Sequence, residues 1–351
     1  MHDRAREVLA AAVAARAFPA AVAEVGTRTE VRWREAFGSL TYDSRAPWTT
    51  PDTPFDLASL TKVLATTLCA MQCVDRGVLH LEDRVSAHLP EWVTGDRQSV
   101  TVEDLLTHCA GLPDWLPFFR TLRGAGSFTR AIAGSPLAYP PRTASVYSDL
   151  GFILLGRLLE RLRSRPLDDQ FRGLTQALAI EDAIGFRPAR SKAPVVAPTE
   201  QDPWRGRLLA GEVHDENAWA MGGVAGHAGL FGTAEAVGVI ARHLLQILDG
   251  RSGLFSRNIT ARFTARRTEI PGSSRACGWD TMLPTSSCGG RLSGTAFGHT
   301  GFTGTSLWLD PERGRYAVLL TNRVHPTRGN DAIQRVRPAF HDAVWSGFEL
   351  P

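Results

Sequence analysis

A serine and a lysine stand three residues apart in the segment FDLASLTK, residues 55–62. Residues at this spacing on a helix share a face and lie roughly 5–6 Å apart, so the Lys62 amine is within reach of the Ser59 hydroxyl. A serine hydroxyl becomes a good nucleophile when a neighbouring group takes its proton. Burial near a helix N-terminus would lower the pKa of Lys62 and make it such a base.

Two further segments carry polar side chains that fit the same chemistry. Tyr-Ser-Asp, residues 147–149, precedes a strongly apolar helix, and His-Thr-Gly, residues 299–301, lies in a predicted strand. Each motif also has a purely structural explanation. Ser59 and Ser148 could cap helices, and His299 could be a solvated residue in a glycine-rich strand.

The order and separation of the three segments resemble those of the serine β-lactamases and penicillin-binding proteins, particularly the class C-like branch of esterases, D-aminopeptidases and muropeptide amidases. That family has Ser-x-x-Lys, then Tyr-Ser/Ala-Asn, then Lys/His-Thr/Ser-Gly. The segment LLTHCAGLP is also similar to the family, and the resemblance covers about residues 15–345. It implies a β-lactamase/transpeptidase-like α/β (α+β) fold, with an antiparallel sheet from the N- and C-terminal segments, flanking helices and an inserted helical lobe.

The resemblance implies a role for each matching residue. Ser59 would be the acylated nucleophile, Lys62 its base, and Tyr147 would pass protons between them and the leaving group. The oxyanion hole would consist of the backbone N–H groups of Ser59 and Phe302. The substrate-binding residues would be Asp149, His299, Thr300, Gly301, His214 and Asn217.

Two of these residues depart from the usual family pattern. Asp149 stands where many members have asparagine, and an anion there favours a donor-rich partner such as Lys62. His299 replaces the more usual lysine and so removes a permanent positive charge. Both differences argue against a dedicated β-lactamase.

The segment GEVHDENAWAMGGVAGHAGLFGTAE, residues 211–235, is similar to the branch that includes muropeptide-recycling amidases. It could be a loop clamped by its own hydrogen bonds, or it could contact substrate through His214 and Asn217. A zinc site of His214, Asp215 and His227 would require the loop to fold back. We predict no metal and no other cofactor.

Hydrophobic spacing and turn residues predict the elements that position these motifs. Predicted helices cover 4–17, 60–77, 150–162, 233–248 and 331–345, and Thr101 with Asp104 forms a capping pattern. A hairpin is predicted for 20–26 and 31–40, strands for 297–310 and 316–324, and a long loop for 185–229. We assign 1–75 and 235–351 to a sheet domain and 76–234 to an inserted, mainly helical lobe.

Composition restricts the partners of this chain. Its 351 residues are 43% hydrophobic with a net charge of +3, and no basic run supports nucleic-acid binding. No window is apolar enough for a membrane span, and no secretory signal is visible, which predicts a cytoplasmic protein. The five cysteines form no CxxC pair and are expected to be reduced. The oligomeric state stays open.

The sequence therefore predicts a serine hydrolase that acts on an amide or ester of a small molecule or peptide, with a muropeptide or D-amino-acid-containing peptide favoured. A carboxylesterase with weak or no β-lactamase activity is the alternative within this class, and a non-catalytic muropeptide sensor is the alternative outside it. An α/β-hydrolase is excluded because no serine has glycines two residues before and after it.

Overall fold

The computed structural model describes residues 2–93, 95–188 and 195–348. The helices are α1 (Asp3–Ala14), α2 (Leu68–Asp75), α3 (Val85–His88), α4 (Val102–Leu106), α5 (Ala125–Gly134), α6 (Asp149–Arg163), α7 (Leu167–Ala177), α8 (Glu216–Ala220), α9 (Ala234–Leu248), α10 (Arg257–Thr264) and α11 (Ile333–Gly347). The strands are β1 (Ala20–Thr27), β2 (Val31–Gly38), β3 (Phe55–Asp56), β4 (Ile184–Phe186), β5 (Gln201–Asp202), β6 (Arg207–Leu208), β7 (Leu230–Gly232), β8 (Asp280–Thr281), β9 (Phe297–Thr300), β10 (Ser306–Asp310) and β11 (Arg315–Thr321).

Six strands form the main antiparallel sheet in the order β2-β1-β11-β10-β9-β8. The predicted N-terminal hairpin is β1 and β2, and β1 also pairs with β11 near the other end of the chain. Alternate residues of β1 point to opposite faces. Ala21 packs in the cluster that contains Leu9 of α1 and Val344 of α11, whereas Val22 packs with Val237 of α9. The sheet therefore lies between two helical layers.

Helix α9 approaches the sheet closely at Gly238. A Cβ atom there would lie 1.8 Å from Glu24 Oε1. Glu24 is fully buried on β1 and accepts hydrogen bonds from the Arg34 guanidinium at 2.6 Å and the Tyr316 hydroxyl at 2.6 Å. Arg242 of α9 contacts the same carboxylate at 3.0 Å. Glycine at 238 is thus required for this helix to cover a buried ion pair.

The structure differs from the predicted elements at two places. The segment predicted as one strand, 297–310, forms β9 and β10 joined by a tight turn, because Gly304 adopts a left-handed φ of 109°. The segment predicted as a loop, 185–229, contains the short elements β5, β6 and α8, and its residues 189–194 lie outside the described ranges. The sheet draws its strands from residues 20–38 and 280–321, while the domain boundaries at 75 and 235 stay a prediction.

The capping pattern predicted at Thr101 is present at the start of α4. The Thr101 side chain accepts from the Asp104 N–H, and the Asp104 carboxylate accepts from the Thr101 N–H at 2.9 Å. All five cysteines are buried and free. Within the described ranges, no helix has both the length and the apolar character needed to cross a bilayer.

Candidate active site

The turn that carries Ser59 is held in a left-handed backbone conformation. Ala58 has a φ of 47°, a strained value for a residue with a side chain, and its N–H donates to Asp56 Oδ1 at 2.8 Å. The other Asp56 oxygen accepts the His214 N–H at 2.7 Å. Directly after the turn, residues Lys62–Thr67 form one π-helical stretch before α2, a geometry frequent at functional sites.

Lys62 is fully buried beside Ser59. Its Nζ donates to Ser59 Oγ at 3.1 Å and to the His227 carbonyl at 3.0 Å, and it lies 2.7 Å from Asp149 Oδ1. A serine, a carbonyl and a carboxylate therefore surround one amine. The predicted approach of Lys62 to Ser59 is present in the structure.

The direction of the pKa shift of Lys62 is opposite to the prediction. Burial lowers the pKa of Lys62, but the Asp149 carboxylate and, to a smaller extent, Tyr147 stabilise the ammonium, and the net effect is a raised pKa. The predicted pKa direction rested on burial and the helix dipole, although Lys62 was also expected as a partner of the Asp149 anion, and that pairing is present at 2.7 Å. Lys62 is consequently an ammonium at neutral pH, paired with Asp149.

Tyr147 is the third side chain of the group that contains Ser59 and Lys62. The Lys62 ammonium and the Ser59 hydroxyl both act on the pKa of its phenol, and the Lys62 Nζ lies 4.9 Å from its ring centre. Burial and the Asp149 carboxylate raise the pKa of Tyr147 against the opposing effect of Lys62. The phenol is therefore protonated at neutral pH and can donate a proton.

Two backbone N–H groups of residues that line the cleft, Ser59 and Phe302, are candidates for an oxyanion hole. Among the described residues, neither the Ser59 N–H nor the Phe302 N–H donates a hydrogen bond. Gly301, directly after β9, lies against the turn that carries Ser59, since a Cβ there would lie 2.7 Å from the Leu57 carbonyl oxygen. Thr305 donates to that same carbonyl at 3.1 Å. These contacts place residues 301–302 beside Ser59.

The wall opposite Ser59 carries positive charge and a neutral histidine. His299 is buried, its Nδ1 contacts the Thr300 carbonyl at 2.8 Å, and its Nε2 has no partner among the described residues. Burial, with the charges of Arg275 and Lys62, lowers the pKa of His299 well below its ordinary value. Arg275 lies over the Tyr147 ring at 5.1 Å. His299 is thus uncharged at neutral pH.

Arg337 of α11 reaches the same wall. It donates to the carbonyl oxygens of Gly301 and of Thr305, the latter at 3.1 Å, and no carboxylate of the described residues pairs with it. Burial and the nearby Arg323 lower the pKa of Arg337 to about 9, so it stays mostly charged at neutral pH. The cleft between these walls has a volume of about 820 Å³.

The structure separates the two predicted substrate residues of the 211–235 segment. His214 lines the cleft, stacks on Phe302 at 5.7 Å and contacts Glu200 Oε2 at 2.9 Å. Asn217 is fully buried in α8 and is not a lining residue. Its amide accepts from the Phe119 N–H at 2.9 Å and donates to the Leu116 carbonyl, so both functions are used within the protein.

A histidine–aspartate pair near Asp149 comes from the same segment. His227 Nε2 contacts Asp215 Oδ1 at 2.8 Å, and ligating atoms of both lie within 4.8 Å of Asp149. His214 is not part of this group, because its ring contacts Glu200. The Lys62 Nζ, 2.7 Å from Asp149, already supplies a cation to the group. Burial raises the pKa of Asp215, but His227 lowers it more, with a net lowering.

Sequence reasoning missed several residues that the structure brings to the cleft. Arg275 and Arg337 line it, but neither belongs to a recognisable motif, because helix and loop arginines are common on surfaces. Asp56 stands inside the FDLASLTK segment and could have been singled out there, since an Asp two residues before a strained position often accepts from the backbone. His227 was noted only as a zinc candidate.

These features fit a serine hydrolase site. The turn with Ser59, a lysine, a tyrosine and two backbone N–H groups without a hydrogen-bond partner among the described residues lie around one cleft. The profile of the family described as Beta-lactamase matches residues 5–339. The chain belongs to the Beta-lactamase family, is a hydrolase and has the β-lactamase and penicillin-binding-protein fold, as the resemblance implied.

Curated relatives and solved structures agree with this assignment. The chain is 33% identical over 305 residues to an N-acetylmuramyl-L-alanine amidase of Bacillus subtilis (strain 168), covering 78% of this chain and 68% of that protein. It is 31% identical over 311 residues to a putative D-alanyl-D-alanine carboxypeptidase of Escherichia coli (strain K12), covering 79% of this chain and 70% of that protein.

Among solved structures, EstCE1, a hydrolase with promiscuous acyltransferase activity, is similar with a TM-score of 0.77 at 22% identity, covering 98% of both chains. The octameric penicillin-binding protein homologue of Pyrococcus abyssi is similar with a TM-score of 0.76 at 19% identity, covering 98% of this chain and 77% of that one. At these identities the likeness shows the fold alone.

Proposed function

We propose that this hydrolase cleaves an amide bond of a muropeptide or a D-amino-acid-containing peptide through a Ser59 acyl-enzyme. The observation that carries the proposal is the 3.1 Å contact between Ser59 Oγ and the buried Lys62 Nζ, with the Tyr147 hydroxyl beside both. Ser59 gives up its proton through Lys62 as its oxygen attacks the carbonyl carbon, and the N–H groups of Ser59 and Phe302 stabilise the oxyanion. Tyr147 then protonates the leaving nitrogen and recovers a proton through Lys62. Water then hydrolyses the ester.

The amide assignment is supported by the relatives. The Bacillus subtilis relative is named for amide cleavage after an N-acetylmuramyl group, and the Escherichia coli relative for a peptide bond between D-alanines. Arg337 and Arg275 on the cleft wall suit a substrate with a carboxylate. A cytoplasmic location, predicted from the sequence, would suit recycling of cell-wall fragments.

A carboxylesterase is the second candidate. His299 is neutral where many family members carry a lysine, which weakens the wall that would hold a β-lactam carboxylate. Esters need less help for the leaving group than amides do, so the same Ser59, Lys62 and Tyr147 would act on them. Turnover of short neutral esters with no turnover of muramyl-peptides would favour this candidate.

The proposal is tested by intact mass after treatment with a fluorophosphonate, with Ser59→Ala beside the wild type. We expect one stoichiometric adduct on the wild type and none on Ser59→Ala. Muramyl-L-alanine amides, D-alanyl-D-alanine peptides and p-nitrophenyl acetate would then be compared as substrates. An unlabelled wild type, or an adduct that persists in Ser59→Ala, would contradict a Ser59 acyl-enzyme.

A further inference from the structure

The buried Lys62 ammonium lies between a hydroxyl and a carboxylate. Its Nζ is 3.1 Å from Ser59 Oγ and 2.7 Å from Asp149 Oδ1. An ammonium has no lone pair, so it cannot take the proton of Ser59 until it has lost one of its own. Asp149 is the acceptor at the shortest distance from that nitrogen among the contacts described above.

We propose that Asp149 accepts a proton from Lys62 as Lys62 accepts the proton of Ser59. Asp149 thereby acts through Lys62 on the nucleophile, a role that the asparagine found in many relatives of this family could not fill, because an amide does not accept a proton at neutral pH. The inference rests on the proposed function, in which Ser59 is acylated.

The step balances in protons and charge. The Ser59 O–H bond breaks and its electron pair forms the bond to the carbonyl carbon, while the carbonyl π pair moves to the oxyanion. One Lys62 N–H bond breaks towards Asp149 and one forms from Ser59, so Lys62 stays an ammonium and Asp149 becomes a carboxylic acid. When the intermediate collapses, Tyr147 gives its proton to the leaving nitrogen. The proton on Asp149 passes through Lys62 to the Tyr147 phenolate, so that Asp149 is again a carboxylate and Tyr147 is again a phenol.

The surroundings of Asp149 favour such a transfer. Lys62 is fully buried and the Asp149 side chain is only 17% exposed, so water stabilises the separated charges little and a neutral amine–acid pair becomes accessible. A carboxylate oxygen of Asp215 and a ring nitrogen of His227 lie within 4.8 Å of a carboxylate oxygen of Asp149. Two carboxylates this close repel, and a proton delivered to the pair relieves that repulsion.

The remaining titratable groups near this pair lie around Tyr147. Tyr147 itself interacts with Asp149 and Lys62. Its ring lies 4.8 Å from His108 and 5.6 Å from His299, and Arg275 covers it at 5.1 Å. Burial lowers the pKa of His108 and the pKa of His299 well below their ordinary values, so neither histidine changes charge in the neutral range. They do not compete with Asp149 for the proton.

The test measures the rate at which a fluorophosphonate labels Ser59 as a function of pH. This probe reports activation of the serine and requires no proton for its fluoride leaving group. The variants are Asp149→Asn, Asp149→Glu and the control Asp114→Asn. Asp114 lies at the cleft rim, and its backbone carbonyl, not its carboxylate, accepts the Asp149 N–H at 2.9 Å.

We expect the rate of wild-type labelling to vary little across the neutral range, because the Lys62–Asp149 pair takes no proton from the solvent and loses none to it there. Asp149→Asn should label roughly 100-fold more slowly at neutral pH, with a rate that rises about tenfold per pH unit, since only the neutral amine can then act. Asp149→Glu should restore the flat profile, and Asp114→Asn should match the wild type.

Three results would overturn the inference. Asp149→Asn could label as fast as the wild type or faster, which would make the carboxylate a brake on the base. It could also be slower by one factor at every pH, which would make Asp149 a support of the local structure. Third, wild-type labelling could rise tenfold per pH unit through neutrality, a result that needs no variant to fold. Failure of the proposed function is distinct, because then the wild type is not labelled at Ser59.

Discussion

Asp56 connects the turn that carries Ser59 to the 211–235 segment, whose residue His214 lines the cleft. One of its oxygens accepts from Ala58 and the other from His214, at 2.8 Å and 2.7 Å. It is nearly fully buried, and burial raises the pKa of Asp56 against the effect of these two backbone donors. A single carboxylate thus fixes both the strained residue before Ser59 and His214 of the 211–235 segment.

Arg337→Ala tests whether the positive wall binds an anionic substrate. We expect KM for a substrate with a carboxylate to rise about tenfold to a hundredfold, because a charged hydrogen bond is worth roughly 1.5–3 kcal/mol. Turnover of a neutral short ester should change little. Steady-state kinetics with both substrates measures the difference.

Arg335→Ala is the matched control for Arg337→Ala. Arg335 lies one half-turn earlier on α11, is exposed and is not a lining residue of the cleft. It should leave both substrates unaffected. Equal loss on the anionic and neutral substrates in Arg337→Ala would show that this arginine supports the turn at Gly301 and does not select the substrate.

At the residue scale, the order of the motifs predicts which side chains come into contact, whereas the local environment decides their protonation states. Ser59, Lys62 and Tyr147 come together as the three motifs indicate. The predicted pKa direction of Lys62 was wrong, because the Asp149 carboxylate, which was expected to favour Lys62 as a partner, lies 2.7 Å from it and outweighs the effect of burial. Asn217 was predicted to contact substrate because of its neighbours in sequence. In the structure it lies in the first turn of α8 and is fully buried.

Helix α9 is the element whose fit on the sheet depends most visibly on one residue. Gly238 lets the helix backbone approach Glu24, which is buried with Tyr316, Arg34 and Arg242 around it. The burial of Tyr316 beside this carboxylate raises the pKa of the phenol. The helix thus covers a charged group whose partners come from β2, β11 and α9 itself.

Gly238→Ala should destabilise the protein by about 1–3 kcal/mol, because the added methyl overpacks this contact. The free energy of unfolding from denaturant titration measures it. Gly173→Ala is the control: this glycine is exposed in α7 with no atom within 4 Å of an added Cβ, and alanine should stabilise the helix by up to about 1 kcal/mol. A neutral Gly238→Ala would mean that α9 shifts freely on the sheet.

Elements with strong periodicity were predicted well, and elements that depend on a turn were not. Helices α1, α6, α9 and α11 lie within a few residues of their predicted bounds. The interruption of the predicted strand 297–310 follows from Gly301 and Gly304, which the alternation of apolar residues does not reveal. The π-helical stretch at Lys62–Thr67 is also invisible to a period of 3.6 residues.

At the scale of the whole molecule, Glu200 joins three distant segments. It contacts His214 at 2.9 Å and accepts from Arg328 at 2.7 Å, and Arg328 also pairs with Glu216 of α8 at 2.8 Å. Burial raises the pKa of Glu200, but these donors lower it more, to about 2. The ion pair therefore connects the 195–216 segment to the chain that leads into α11.

This lowered pKa makes stability depend on pH in a defined window. The contribution of Glu200 is fully present above its ordinary pKa of 4.5 and is lost as the pH falls towards about 2, because the unfolded chain binds the proton first. Wild type should exceed Glu200→Gln in free energy of unfolding by about 2–3 kcal/mol near neutrality, and the gap should close in this window. A gap that is constant with pH would show that the glutamine packs poorly for reasons other than charge.

The architecture as a whole was accessible from the sequence through its resemblance to a family. The sheet does draw its strands from both ends of the chain. Strand order and register are not readable from hydrophobic patterns, because an antiparallel strand with two buried faces can accept several neighbours. The placement of β1 between β2 and β11 therefore came from the structure.

That placement has a consequence for biosynthesis. Ala21 of β1 pairs with Thr321 of β11, 300 residues later, and a two-stranded hairpin is at best marginally stable in water. While the ribosome makes the rest of the chain, β1 stays exposed with two largely apolar faces, one of which carries Glu24, and with an unpaired edge. Such a surface is prone to aggregate. Completion of this sheet is thus a late, post-translational event, and the yield of active protein should depend on chaperones that shield the N-terminal hairpin until β11 emerges.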